Sequence, residues 1–282
     1  MLHFPGAEPI DYLILGHLTR DITPEGARLG GGAAYAALTA QALGLRVGIV
    51  TAWAEDVELG PLADIPIASL KSEYSTTFKN IYTPEGRIQY LQAVADPIDY
   101  YHIPESWRSA PLVHLAPMAG EISSSIVRQF RDSFLCLTPQ GWLRTWDADG
   151  RVSPAEWPEA EFALSHVDAA VLSLEDVQSD RTQIERMAAV AHVLTVTAGR
   201  EGATLYSRGE AYHFPAPETE EQDPTGAGDV FAAAFFTYLF RTHDPNEAAR
   251  FANHVAAASV ARSGLEGAPT KDEIFDFMPG VA

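Results

Sequence analysis

Short runs of apolar residues, each of strand length, recur along the chain and alternate with longer segments of helical character. Such alternation is typical of parallel sheets that are covered by helices. It therefore predicts an α/β fold with a doubly wound, mostly parallel sheet flanked by helices. The predicted strands are 12–16, 47–51, 112–115, 134–137, 169–172 and 192–197. The predicted helices are 30–44, 121–131, 230–240, 246–261 and a last one that ends at Phe277.

Polar and apolar residues alternate on both sides of a Pro-Glu-Gly turn at 84–86. This pattern predicts a β-hairpin over about residues 74–94, which would form a small lid on the sheet. The side chain of Asn80 either faces a polyhydroxy ligand or belongs to the solvated face of the hairpin. Residues 17–29, which include Asp21, are predicted to form only a short polar loop, so the lid is expected to be reduced. With no linker or repeat, residues 1–282 are expected to form one domain.

Composition narrows the classes of partner. The formal net charge is −19, the sequence pI is about 4.7, and no run of Lys or Arg occurs. Nucleic acids and anionic membranes are therefore excluded as expected partners. Cys136 is the only cysteine, which rules out an internal disulfide and a cysteine zinc cluster. Residues 1–11 lack a basic segment followed by an apolar one, and we expect a cytoplasmic protein.

One segment concentrates the candidate chemistry, Asp223-Pro224-Thr225-Gly226-Ala227-Gly228-Asp229, directly before the apolar run at 230–240. Small residues at 226–228 let the backbone turn tightly and approach a ligand closely. The unpaired N–H groups and the positive dipole end at a helix start favour phosphate, or negative charge that develops in a transition state. Asp229 is then either part of this site or only a favourable residue for the first turn of a helix.

This segment resembles the signature Asp-Thr-x-Gly-Ala-Gly-Asp of the ribokinase-like (PfkB-type) carbohydrate kinases. Residues 30–44 resemble the family's other signature, Gly-Gly-x-x-x-Asn-x-Ala, which closes on Leu-Gly. Tyr35 stands where the family has the Asn. A dinucleotide-binding Gly-x-Gly-x-x-Gly site is not expected, because its third glycine would also fall at Tyr35.

The resemblance implies an ATP-dependent kinase that uses Mg²⁺ and phosphorylates a hydroxyl group of a small sugar or polyol. The catalytic residues that it implies are Asp229 as general base and, as an anion hole, Gly226, Ala227 and Gly228. It also implies that Asp21 and Gly31 bind the acceptor. Tyr35 at the Asn position indicates an acceptor other than ribose or fructose, or is only a partly buried helix residue.

The resemblance extends to the residues that bind the nucleotide and the metal in this family. The family's nucleotide-binding loop, Thr-x-Gly-x-x-Gly, is matched by Thr197, Gly199 and Gly202. The resemblance also implies that Asn253 and Ala257 lie near the adenine of the bound nucleotide and that Gly264 lies near its ribose. The residues after the strand at 169–172 resemble the motif that orders Mg²⁺ and phosphate through water. Either Glu175 or Asp176 then supplies the carboxylate that orders Mg²⁺ through water. Alternatively, these residues only form the first turn of a helix.

The acceptor is expected to be a cyclic polyol or sugar, because the Tyr position and the reduced lid are similar to the myo-inositol kinase branch. That branch has a Gln- and Arg-containing segment similar to 139–146, which makes Gln140 and Arg144 candidate acceptor-binding residues. Two alternatives stay open, a nucleoside kinase and a catalytically silent nucleotide-binding regulatory protein. Either a monomer or a homodimer is compatible with the sequence.

Overall fold

The computed structural model describes residues 8–24, 26–83 and 86–277. Its main element is a nine-stranded sheet in the order β15-β14-β13-β12-β9-β8-β1-β4-β5. Neighbouring strands from β13 to β5 in this order pair in parallel, whereas β13–β14 and β14–β15 pair antiparallel. The strands are β1 Tyr12–Leu15, β4 Val47–Trp53, β5 Ile67–Lys71, β8 Leu112–Leu115, β9 Phe134–Leu137, β12 Ala169–Ser173, β13 Val193–Thr197, β14 Ala203–Ser207 and β15 Glu210–Phe214. The predicted doubly wound, mostly parallel α/β fold is confirmed.

In the part of the chain that the structure describes, six α-helices cover the two faces of the sheet. They are α1 Gly32–Ala42, α2 Ala160–Leu164, α3 Arg181–Val190, α4 Ala227–Thr242, α5 Pro245–Ser259 and α6 Lys271–Phe277. Successive side chains of β1 point to opposite faces, as the period of a strand requires. Tyr12 and Ile14 pack in the core that contains α1, α4 and α5, whereas Leu13 and Leu15 pack in the core that contains α2 and α3. Helices on both faces explain why the central strands β1, β4, β9 and β12 are buried and largely apolar.

Helix α4 lies across the centre of the core that also contains α1 and α5. Its side chains Phe231, Phe235 and Phe236 are at most 2% exposed. Burial of each such ring contributes about 1.5–3 kcal/mol. This burial fixes the position of the helix start and of the signature turn before it. Within the described ranges, no helix has the length and apolar character needed to cross a membrane.

The prediction that residues 17–29 form only a polar loop is wrong, and so is the prediction that the lid is reduced. Residues 19–23 and 26–30 form strands β2 Thr19–Thr23 and β3 Gly26–Gly30. They join β6 Thr76–Thr83 and β7 Gly86–Ala93 in a four-stranded sheet of order β3-β2-β6-β7. The predicted hairpin therefore supplies two of four lid strands, and its turn residues Pro84 and Glu85 lie outside the described residues. The inner face of β2 is polar because it lines a cavity, so it lacks the alternation that indicates a strand.

The predicted helix at 121–131 is also wrong. The segment contains a 3₁₀ helix at Ser124–Gln129, and Glu121 lies before it with only 4% of its surface exposed. The Glu121 carboxylate accepts hydrogen bonds from the backbone N–H groups of His17, Met118 and Ala119 at 2.8–3.0 Å. These hydrogen bonds connect the segment to the neighbouring loops and compete with the formation of a first α-helical turn.

A further pair of short strands, β10 Arg144–Trp146 and β11 Val152–Pro154, follows the carboxyl end of β9.

Candidate active site

One cavity of about 660 Å³ lies at the carboxyl ends of the central strands, between the four-stranded lid and the starts of α1 and α4. This is the size range of small-molecule sites, and the edge of the sheet is where ligands bind in open α/β folds. The predicted site residues that line it are Asp21, Gly31, Tyr35, Asn80, Gln140, Arg144, Glu175, Asp176, Thr197, Gly199, Gly202, Gly226, Ala227, Gly228, Asp229, Asn253 and Ala257. The structure thus brings together residues from both ends of the chain.

The signature turn leads directly into α4. Gly226 has φ +81°, a left-handed conformation that glycine adopts without strain, and α4 begins at the next residue. The N–H groups of Ala227 and Asp229 donate to the carbonyls of Pro224 and Gly226 at 3.2 and 3.0 Å. Among the described residues, the N–H groups of Gly226 and Gly228 find no acceptor. Of the three anion-hole residues expected from the sequence, Gly226 and Gly228 therefore have N–H groups that are available to a ligand.

Two carboxylates pack against the glycine run that opens α1. Asp21 lies against Gly30, and Asp229 lies against Gly32, where its Oδ1 is 2.5 Å from the position that a Cβ atom would occupy. Side chains at these positions would displace the carboxylates, which explains the glycines. Asp229 therefore lies at the N-terminal ends of both α1 and α4, where the two helix dipoles stabilise negative charge. Its partly buried side chain faces the cavity rather than bulk solvent.

Tyr35 lies beneath the signature turn. Its ring packs directly on Gly226, and the residue is only 3% exposed although it borders the cavity. Burial raises the pKa of the Tyr35 phenol, and the nearby charge of Asp21 raises it further. The phenol is therefore neutral at physiological pH. The sequence left open whether Tyr35 is a ligand-facing or a packing residue, and the structure shows that it packs on the turn that carries the candidate anion hole.

Amide and carboxylate side chains form the end of the cavity under the lid. Asn80 and Gln89 face each other across β6 and β7, and the Gln89 amide donates to Asn80 Oδ1 at 2.9 Å. The Gln140 amide donates to Asp176 Oδ1 at 3.3 Å. Arg144 supplies a cation to the same wall. This end of the cavity thus offers several hydrogen-bond groups to a polyhydroxy ligand.

The opposite end is lined by glycines and small side chains. The residues there include Ala256, Val260 and the segment 216–219. These were not predictable from the sequence, because small and loop residues carry no chemical signal. Asn253 is 5% exposed and donates its amide to the Phe214 carbonyl at 2.9 Å. One of its two amide N–H donors is therefore already bonded within the protein. Gly264 is not among the described cavity-lining residues, and its N–H donates instead to Asp223 at 3.0 Å.

The candidate magnesium residues fit a water-mediated role. Asp176 Oδ2 accepts the Ser173 N–H at 2.9 Å, so this carboxylate also holds its own turn. Within the described ranges, no cluster of three or more His, Cys, Asp or Glu side chains could enclose a metal ion. Mg²⁺ keeps several waters and needs only one or two carboxylates beside substrate phosphates. Glu175 and Asp176, which both border the cavity, meet that requirement.

An ion pair connects the lid to the signature turn. Arg28 of β3 lies with Nη2 3.6 Å from Asp223 Oδ2, and its Nη1 donates to Ser263 Oγ at 3.3 Å. Burial raises the pKa of Asp223, but hydrogen bonds from Thr225, Gly264 and Ser263 outweigh it and lower the pKa overall. Asp223 is therefore ionised and attracts the guanidinium.

We expect Arg28→Gln to loosen the lid. Backbone amides of β3 should exchange about threefold faster in hydrogen-exchange mass spectrometry, because a partly exposed ion pair contributes up to about 1 kcal/mol. Arg20→Gln is the matched control, since Arg20 of the adjacent strand pairs with Asp56 at the same 3.6 Å but away from the turn. Equal exchange of β3 in both variants would show that Arg28 does not hold the lid.

Comparison with solved structures gives the class of fold. A pyrophosphate-dependent kinase in the ribokinase family, complexed with a pyrophosphate analog and myo-inositol, superposes with a TM-score of 0.79 at 21% identity, covering 95% of this chain and 100% of that one. The ribokinase of Arabidopsis thaliana, complexed with ribose and ATP, superposes with a TM-score of 0.73 at 17% identity, covering 96% and 99%. The chain has the ribokinase fold.

Sequence comparison finds similarity to one family of kinases. The model of the pfkB family carbohydrate kinases matches residues 157–271. Inositol 3-kinase of Zea mays is 28% identical over 209 residues, which are 72% of this chain and 53% of the relative. The chain spans about half the length of the first curated relatives that it matches. The resemblance to the ribokinase-like, PfkB-type carbohydrate kinases that the signature residues indicated is confirmed.

Proposed function

We propose that this protein transfers the γ-phosphoryl group of ATP to a hydroxyl group of a small sugar or cyclic polyol. One observation carries the proposal: the Asp229 carboxylate lies in the same cavity as two available N–H groups and a second carboxylate, Asp21. Phosphoryl transfer requires little more than a base, an anion site and a group that positions the acceptor. The family assignment supports the same reaction.

In this proposal Asp229 accepts the proton of the acceptor hydroxyl group as the hydroxyl oxygen bonds to the γ-phosphorus. The bond between that phosphorus and the bridging oxygen breaks, and ADP leaves. The N–H groups of Gly226 and Gly228 stabilise the charge that spreads over the phosphoryl oxygens. Asp21 binds acceptor hydroxyl groups and orients them toward Asp229. Mg²⁺, when bound with the donor, offsets phosphate charge, and Glu175 and Asp176 would hold it through water. The lid excludes water, which would otherwise compete for the phosphoryl group.

The cavity extends far enough to favour ATP over pyrophosphate as the phosphoryl donor. Beyond the loop at Gly199–Glu201 it continues between Ala256, Ala257 and Val260, where small side chains leave room for a planar base. Similar solved structures include both donor types, a pyrophosphate-dependent kinase and an ATP complex. Pyrophosphate is therefore the second donor to test.

A cyclic polyol is favoured as the acceptor. Asn80, Gln89, Gln140 and Arg144 surround the lid end of the cavity, and hydroxyl groups on a ring can engage all of them. An inositol 3-kinase is among the sequence relatives, and myo-inositol is bound in a solved structure of similar fold. A nucleoside acceptor would instead need an exposed aromatic face. Tyr35 packs on Gly226, and Phe78, which also borders the cavity, is only 1% exposed.

The test is consumption of ATP or pyrophosphate with a panel of polyols, sugars and nucleosides. We expect ATP turnover with myo-inositol or another cyclic polyol above the acceptor-free rate, and slower turnover with pyrophosphate. ATP binding without turnover for any acceptor would contradict the proposal and favour a regulatory nucleotide-binding protein. Turnover with nucleosides alone would identify the other acceptor class.

A further inference from the structure

A row of three hydrogen-bonded side chains runs from the interior of the sheet to the wall of the cavity. Tyr12 Oη of β1 lies 3.1 Å from His114 Nδ1 of β8, and His114 Nε2 lies 3.0 Å from Thr138 Oγ1. Tyr12 and His114 are fully buried. Thr138, directly after β9, is 8% exposed and borders the cavity. A polar row through an apolar core is costly unless every member is satisfied.

The imidazole at the centre of the row is neutral. Burial lowers the pKa of His114 to about 3. The edge-to-face ring of Phe236 from α4 covers it, with ring centroids 5.0 Å apart. A neutral imidazole has one nitrogen that donates and one that accepts. The direction of the hydrogen bonds along the row therefore depends on which nitrogen carries the proton.

The hydroxyl group of Tyr12 determines the direction of the hydrogen bonds along this row. Among the described residues, its hydroxyl group has no hydrogen-bond partner other than His114 Nδ1. A buried donor left unsatisfied costs about 1–3 kcal/mol, so the phenol donates to Nδ1. Nε2 then carries the proton and donates to Thr138 Oγ1. The Thr138 hydroxyl hydrogen must point away from His114, and no other side-chain bond of Thr138 is found in the described chain.

We propose that Thr138 is a specificity-determining residue whose hydroxyl group donates a hydrogen bond to an oxygen of the acceptor molecule, with its direction set by Tyr12 and His114. This inference rests on the proposed function, because it assigns the acceptor to this end of the cavity. Gln140 follows Thr138 closely and borders the same wall, together with Arg144. All three residues carry donors, so this wall binds a ligand through oxygens that accept hydrogen bonds.

The first test needs no activity. Nitrogen-15 NMR of the histidine-labelled protein, with His114→Gln to assign the signals, should show His114 protonated at Nε2 and bare at Nδ1. A proton at Nδ1 would overturn the inference, because Thr138 would then have to donate to His114. Addition of myo-inositol should shift the His114 signals in the wild-type protein. Unchanged signals at saturating polyol would show that Thr138 does not contact it.

The second test measures steady-state kinetics of Thr138 variants. Thr138→Val should raise the KM for the polyol about tenfold and leave the KM for ATP unchanged, whereas Thr138→Ser should stay within about twofold of wild type. Thr195→Val is the matched control, because Thr195 is a fully buried strand threonine whose hydroxyl has no partner in the described chain. Equal KM values for Thr138→Val and wild type would overturn the inference. Absence of turnover in the wild type would refute the proposed function, and the NMR measurement would then decide the inference alone.

Discussion

Asp229→Asn should fold and bind ATP like the wild-type protein but lose about 10³-fold in kcat. The amide keeps the size of the carboxylate but cannot accept the proton of the attacking hydroxyl group, and general-base catalysis contributes about 10²–10⁴-fold. Binding of ATP should be preserved because it depends on the N–H groups of the turn and the far end of the cavity. Single-turnover kinetics and nucleotide titration would measure the two effects separately.

A matched control separates this role from a role in helix capping. Asp229 is an acidic residue in the first turn of α4, and Asp272 occupies the first turn of α6 away from the cavity. Asp272→Asn should cost up to about 1 kcal/mol in free energy of unfolding and leave kcat unchanged. If Asp229→Asn also changed only the stability, the carboxylate would be a helix-start residue and not a base.

Gly32→Ala should lower kcat about 10²-fold without unfolding the protein. The new methyl group would meet Asp229 Oδ1 at 2.5 Å, so the carboxylate must move. Misplacement of a reacting group by about 1 Å can cost 10²-fold. The φ angle of Gly32 lies outside the left-handed region, so α1 itself accepts alanine. A crystal structure of the variant, together with kcat and the KM values for both substrates, would show the displacement and its effect.

The control for this variant is a glycine that is equally crowded but lies elsewhere. A Cβ atom on Gly48 would meet Ile10 at 2.7 Å and Trp107 at 3.0 Å, in the core under the other face of the sheet. Gly48→Ala should lower the free energy of unfolding by about 1–3 kcal/mol with unchanged kcat while folded. Loss of kcat in both variants would attribute the effect of Gly32→Ala to general distortion.

The sequence predicts the sheet and the main helices because their residues are apolar on the sides that are buried. The run at 230–240, for example, lies inside α4 Ala227–Thr242. The lid strand Thr19–Thr23 escaped prediction because it faces a polar cavity, so Thr19 and Asp21 stand where a core strand has apolar residues. Periodicity detects burial against a core and not against a ligand site.

The candidate site was predictable where a residue type is tied to a short signature, as at Gly226 and Asp229. Contacts between distant segments were not predictable. The packing of Asp229 on Gly32 and the row from Tyr12 to Thr138 join residues that no local pattern connects. These contacts depend on how the sheet and its two cores assemble, which is a property of tertiary packing.

The most direct measurement is phosphorus-31 NMR of the protein with ATP, Mg²⁺ and the preferred cyclic polyol. The proposal predicts that ADP and one new phosphomonoester appear in equal amounts, and that both form about 10³-fold more slowly with Asp229→Asn. Equal amounts of ADP and inorganic phosphate, or unchanged ATP in the presence of every acceptor, would contradict it.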